Sequence, residues 1–94
     1  MFKDEYHPQV KKDLKGLDKQ VYIKVKTEFI FTILENPFHS EELFGNLAGI
    51  YSFHFKINKV EYRIAYFINE KNKTLFFIKI GKRENFYEEI KKRI

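Results

Sequence analysis

From Tyr51 to Phe67 the chain reads YSFHFKINKVEYRIAYF, with an apolar residue at every other position of its first half. Side chains in a strand alternate between faces, so Tyr51, Phe53, Phe55 and Ile57 point one way and Ser52, His54 and Lys56 the other. In the second half, Tyr62, Ile64, Tyr66 and Ile68 share one face and Glu61, Arg63, Ala65 and Phe67 the opposite one. The alternation predicts strands over Ile50 to Ile57, Val60 to Asn69 and Thr74 to Ile80. Polar breaks at Asn58-Lys59 and Glu70 to Lys73 join them into an antiparallel meander that Gly81 ends.

The N-terminal half carries a different period. After a short strand over Phe2 to Tyr6, His7-Pro8 marks a helix start, since Pro is tolerated in the first helical turn. Val10, Leu14 and Leu17 recur at helical spacing, and Gly16 stands where a left-handed residue would close that helix. Asp18 is placed to cap a second helix with Tyr22, Val25, Phe29 and Ile33 as its apolar stripe, running to Glu35 before Asn36-Pro37. The two helices are expected to form an antiparallel hairpin. Residues 36–49, NPFHSEELFGNLAG, read as a connecting loop, and Tyr87 to Arg93 as a short terminal helix with a basic last turn. The sum is an α+β fold of two layers, a helix hairpin packed on one face of a small antiparallel sheet whose other face lies open.

Composition narrows the picture. A chain of 94 residues makes one domain, spanning 1–94, and its eleven Phe and six Tyr supply bulky burial for a small core. The absence of Cys removes disulfides and zinc-thiolate sites. The N-terminus MFKDEYHPQV has no apolar signal segment and no uncharged run of about 18 residues occurs, so a cytoplasmic protein without membrane contact is expected. The formal charge of +5 is uneven. Residues 1–50 hold seven Lys against eight acids, whereas residues 71–94 hold eight Lys or Arg against three Glu. Such a balance suits a polyanion, RNA or DNA, or equally a solvated surface that keeps the protein soluble.

The alternation brings candidate chemistry to the open face: Ser52, His54 and Lys56 from one strand and Arg63 from the next. Arg83 in the GKR segment, Lys82, Lys79, and the terminal Lys91 and Lys92 are expected at its border, with Tyr87 as a ring to stack on an unpaired base. These residue types suffice for metal-free RNA cleavage, in which the 2′-hydroxyl attacks the adjacent phosphodiester. That reaction needs a base, cations for the developing dianion and an acid for the leaving 5′-oxygen. His54 is the nearby group suited to proton transfer near neutral pH. Each residue also has a plainer reading: an exposed strand histidine, a surface ion pair at Arg63, a helix-flanking Arg83, a core contact at Tyr87. His7 and His39 have only the plain one, and three scattered His make no metal site.

The order of strand, two helices, a YSFHF strand, EYRIAYF and then IGKRENFYEEIKKRI resembles the RelE/ParE superfamily of toxins, in particular its RelE branch, over essentially the whole chain; the opening YHPQVKKDLKGLD is similar to the family's usual start. The resemblance implies a toxin held by an acidic, partly disordered RelB-like antitoxin. Such a toxin enters the 70S ribosome, cuts mRNA in the A site without metal or cofactor, and meets operator DNA only through the antitoxin complex. It further implies that Arg63 stabilises the transition state, that Arg83 does so or acts as general acid, and that Tyr87 stacks on an mRNA base. Where the best-known member has two lysines this chain has Ser52 and His54, which implies His54 as base in a variant mechanism or a partial loss of activity. A ParE-like inhibitor of DNA gyrase, acting by protein contact, and a degenerate toxin that only binds antitoxin remain the competing readings.

Overall fold

The computed structural model describes residues 1–94. The chain runs β1 (Lys3–Tyr6), α1 (Val10–Lys15), α2 (Lys19–Lys24), a π turn (Val25–Phe29), α3 (Ile30–Glu35), β2 (Glu41–Glu42), β3 (Ile50–Ile57), β4 (Val60–Asn69), β5 (Thr74–Lys82) and α4 (Phe86–Lys91), with short 3-10 turns at Pro37–His39 and Gly45–Leu47. No helix is long and apolar enough to cross a membrane.

The three expected strands form the middle of a five-stranded sheet of order β1-β5-β4-β3-β2. Antiparallel β3 and β4 are joined by Asn58 and Lys59, both at positive φ (52° and 68°), between the paired Ile57 and Val60. Two left-handed residues in a two-residue loop are the primed turn whose twist matches that of the strands. The sheet is not antiparallel throughout, because β1 lies parallel to β5, pairing Lys3 with Thr74 and Tyr6 with Phe77. Nor does Gly81 end it: β5 continues through Lys82, and Gly81 pairs with Arg63. Within the stretch expected as loop, Glu41 and Glu42 add a short edge strand on Ser52 and Tyr51.

The helices cover the face predicted to be apolar. Val10, Val21, Val25, Ile30, Ile33 and Leu34 pack with Tyr62, Ile64, Tyr66, Leu75, Phe77 and Ile80 in one buried cluster, against which Tyr51, Phe53, Phe55 and Ile57 also lie. The expected stripe is shifted: Val21 rather than Tyr22 is buried, and Tyr22 is exposed. Val21 stands four residues before the buried Val25, on the same helical face; beyond it comes the π turn, where the Ile30 N–H reaches the Val25 carbonyl rather than the one a residue later. One extra residue in that turn rotates the following stripe onto Phe29, Ile30, Ile33 and Leu34. Gly16 adopts an ordinary right-handed conformation (φ −83°), so the first helix does not close on a left-handed glycine. Asp18 sits at the cap position of α2, yet its side chain bonds no backbone N–H.

The opposite face is only partly open. α4 lays Phe86 and Ile90 over Ile50, Ala65 and Ile78, a second small core that leaves uncovered the sheet end nearest the β3–β4 turn. A β-bulge at the Ala65/Tyr66 step lets β5 present Ile78 and Lys79 in succession towards α4.

Candidate functional site

Register fixes the site. Ser52 pairs with Ala65, His54 with Arg63 and Lys56 with Glu61. Cross-strand partners share a face and stand about 5 Å apart at Cβ, so His54 and Arg63 are neighbours. From the far side α4 contributes Tyr87, whose ring lies 5.0 Å from the Arg63 guanidinium carbon and packs edge-on against Phe86 at 5.6 Å. Asn85 in the left-handed conformation (φ 57°) turns the chain from β5 into α4 and brings that ring back over β4. Arg63 therefore rests on an aromatic face, with its Nε buried and without a hydrogen-bond partner. A cation–π contact holds the guanidinium in place while consuming none of its N–H donors.

The other candidate cations carry carboxylates. Arg83, largely exposed beyond the end of β5, bonds Glu61 through Nη1 at 2.7 Å. That bond lowers the Glu61 pKa and raises that of Arg83. The ion pair foreseen for Arg63 thus belongs to Arg83. His54 Nε2 lies 3.3 Å from Glu41 Oε1, a carboxylate supplied by the unforeseen strand β2. Around His54 the permanent cations Lys56, Arg63 and Arg83 face two carboxylates, so this face is less basic than the C-terminal composition suggests.

Four of the residues expected to bind RNA on or beside this face are buried, engaged or elsewhere. Ser52 is 1% exposed, and its Oγ has no partner. Lys79 is 7% exposed, pairs with Glu89 at 2.5 Å and lies 4.0 Å from Asp13, so it belongs to the interior rather than to a phosphate surface. Lys82 pairs with Tyr62 and therefore leaves the sheet on the helix-covered side, opposite Arg63. Lys91 contacts Glu88 at 3.5 Å, one turn back on α4. Lys56 and Lys92 are exposed.

Lys79 belongs to a network that locks α4 down. Arg93 grips Asp13 with two bonds, Nη1 to Oδ2 at 2.6 Å and Nη2 to Oδ1 at 2.8 Å, and donates to the Ile78 carbonyl at 3.0 Å. Asp13 also accepts the Ile80 N–H at 3.0 Å. β1 covers β5 only as far as Phe77, so Ile78 to Lys82 form an open edge, and these two side chains satisfy its free carbonyl and N–H. Asp13 raises the Arg93 pKa, and Lys79 lowers that of Glu89.

Glu41 is the site residue that the sequence concealed. A strand of two residues inside a polar loop has no alternation to detect, and its carboxylate meets His54 only through the β2–β3 pairing. No group of His, Cys, Asp or Glu is arranged to hold a metal.

Comparison with known proteins bears on the fold and the family. A family profile described as ParE-like toxin of type II bacterial toxin-antitoxin system matches residues 5–91. A search of curated proteins finds no match. Among solved structures, the Mycobacterium tuberculosis toxin-antitoxin complex RelBE2 contains a chain that superposes with a TM-score of 0.77 at 23% identity, over 87% of this chain and 98% of that one. A doubly substituted E. coli toxin RelE in the free state gives 0.76 at 22% identity, over 99% and 97%. The archaeal RelE–RelB complex from Pyrococcus horikoshii gives 0.57 at 23%, over 88% and 96%. At these identities the likeness is one of fold.

Proposed function

This chain belongs to the family of ParE-like toxins of type II bacterial toxin-antitoxin systems, and we propose that it acts as a metal-free endoribonuclease on mRNA in the ribosomal A site. The observation that carries the reading is the grouping of His54 and Arg63 side by side on the sheet, with Tyr87 of α4 packed on the Arg63 guanidinium. His54 takes the proton of the 2′-hydroxyl, whose oxygen attacks the phosphorus. Arg63, its guanidinium held against the Tyr87 ring, stabilises the dianion that forms. Arg83 leaves Glu61 for the phosphate and serves as a further cation or acid, and the 5′-oxygen departs protonated, leaving a 2′,3′-cyclic phosphate. Tyr87 keeps Arg63 in position and supplies a ring on which a base stacks. Outside the reaction, the exposed cations of this face suit an acidic RelB-like antitoxin, through which the protein would reach operator DNA.

Primer extension on mRNA held in programmed ribosomes tests this. Wild-type protein is expected to produce A-site cuts, and His54→Ala and Arg63→Ala to lower the rate by about a hundredfold or more. Intact mRNA at high protein excess would overturn the reading.

A second reading, inhibition of DNA gyrase by protein contact, is favoured by the carboxylate on Arg83, which occupies a cation that the nuclease reading needs at the phosphate. Under it both alanine variants keep their toxicity and supercoiling is blocked.

A further inference from the structure

We propose that Glu41 is a positioning residue for His54, fixing which ring nitrogen is free to act as the base; the proposal rests on the nuclease reading. β2 is only two residues long, and both are tied. Glu42 pairs with Tyr51 and accepts a hydrogen bond from its hydroxyl at 3.3 Å, while the Leu43 N–H donates to the Ile50 carbonyl at 2.8 Å. Alternation then sends the Glu41 side chain to the opposite face, beside Ser52 and towards the next residue on that face of β3, His54. There its Oε1 lies 3.3 Å from Nε2, within ion-pair distance though not yet aligned as a hydrogen bond.

The chemical consequence follows from what a carboxylate can do. An ionised carboxylate only accepts, so a neutral imidazole facing it carries its hydrogen on Nε2 and keeps the lone pair on Nδ1. The remaining groups around the ring impose no such choice. Arg63 lies directly across on β4 and Lys56 two residues along β3, with Glu61 paired to Lys56. His39, Ser40 and the buried Ser52 line the shallow groove on the β2 side. Glu41 is the carboxylate that contacts the imidazole. The geometry assigns Nδ1 as the atom that receives the 2′-hydroxyl proton, and it gives the edge strand a purpose that its pairing alone does not.

The test pairs a spectroscopic and a kinetic readout on the full chain, with Glu41→Gln as the variant and Glu42→Gln, on the other face, as the control. Long-range nitrogen–proton NMR of the free protein is expected to show His54 as the Nε2–H tautomer in the wild type and the control. A mixture is expected in Glu41→Gln, whose carboxamide offers either an acceptor or a donor. Single-turnover cleavage on programmed ribosomes is expected to slow ten- to hundredfold, roughly, in Glu41→Gln, with half-saturation changed by less than about twofold. An Nδ1–H tautomer in the wild type, the same tautomer in Glu41→Gln, or an unchanged cleavage rate would overturn the proposal. Wild-type protein that leaves mRNA intact would overturn the nuclease reading and the catalytic half of this one, while the tautomer result would still decide whether Glu41 orients His54.

Discussion

Ser52 shows how a residue can be read onto the right face and given the wrong work. Its side chain does point away from the helices, as strand alternation requires, but Glu41 on one side and Ala65 on the other close over it. Its hydroxyl is buried without a partner. A buried polar group left unmade is a liability, so Ser52→Ala is expected to leave cleavage unchanged and to stabilise the protein by about 1 kcal/mol, measured by urea unfolding. Destabilisation of similar size would mean that the hydroxyl has a partner in solution. His54 and Arg63 were legible in sequence because a period of two places both on one face without knowledge of the partner strand. Lys79 and Lys82 were not. Three residues apart in one strand, they leave on opposite faces, and that becomes visible only once β5 is known to run on to Lys82. What Lys79 does there, pairing with Glu89 beside Asp13, depends on contacts between elements that local pattern does not encode.

At the scale of elements, the strong patterns were read well and the weak ones were not. The β3 and β4 boundaries follow from alternation and from the Asn58-Lys59 break, whereas β2 is too short to carry any periodicity and the π turn is invisible to a search for a 3.6-residue repeat. The same limit hid the burial of Ile30 and Leu34, which the extra residue of that turn brings to the core face. The β3–β4 turn carries its own prediction. Lys59 occupies the second central position at φ 68°, where a side chain costs about 1 kcal/mol relative to glycine. Lys59→Gly, which makes the turn Asn-Gly, is expected to raise stability by about 0.5–1 kcal/mol with β3–β4 register unchanged, checked by denaturant melts and amide exchange. A loss of stability would place the Lys59 side chain in a contact worth more than the backbone strain.

Across the whole molecule, the ionisable groups divide into two sets that bound the pH range of the fold from opposite sides. On the acid side, Lys79 holds Glu89 below its ordinary value of 4.5, and Arg83 does the same for Glu61. A carboxylate depressed in the folded state binds fewer protons there than in the unfolded chain, so its contribution is present above about pH 4.5 and is lost as pH falls through the folded value. On the alkaline side, burial pushes the Tyr66 hydroxyl from 10.0 up to about 12, and that hydroxyl donates to the Pro37 carbonyl at 2.6 Å. Tyr6 is raised as well, by burial and then by Asp4. A phenol raised on folding contributes fully below pH 10 and loses that contribution between pH 10 and 12. The melting temperature is therefore expected to be nearly flat from about pH 5 to 9, to fall below it as α4 loses its Glu89 tie, and to fall again above pH 10. Tyr66→Phe separates the causes. It should lower the plateau, because the Pro37 carbonyl loses its donor, yet flatten the decline above pH 10, because nothing in that position remains to ionise. A decline equally steep in the variant would assign alkaline unfolding to Tyr6 and its neighbours, and remove Tyr66 from the account.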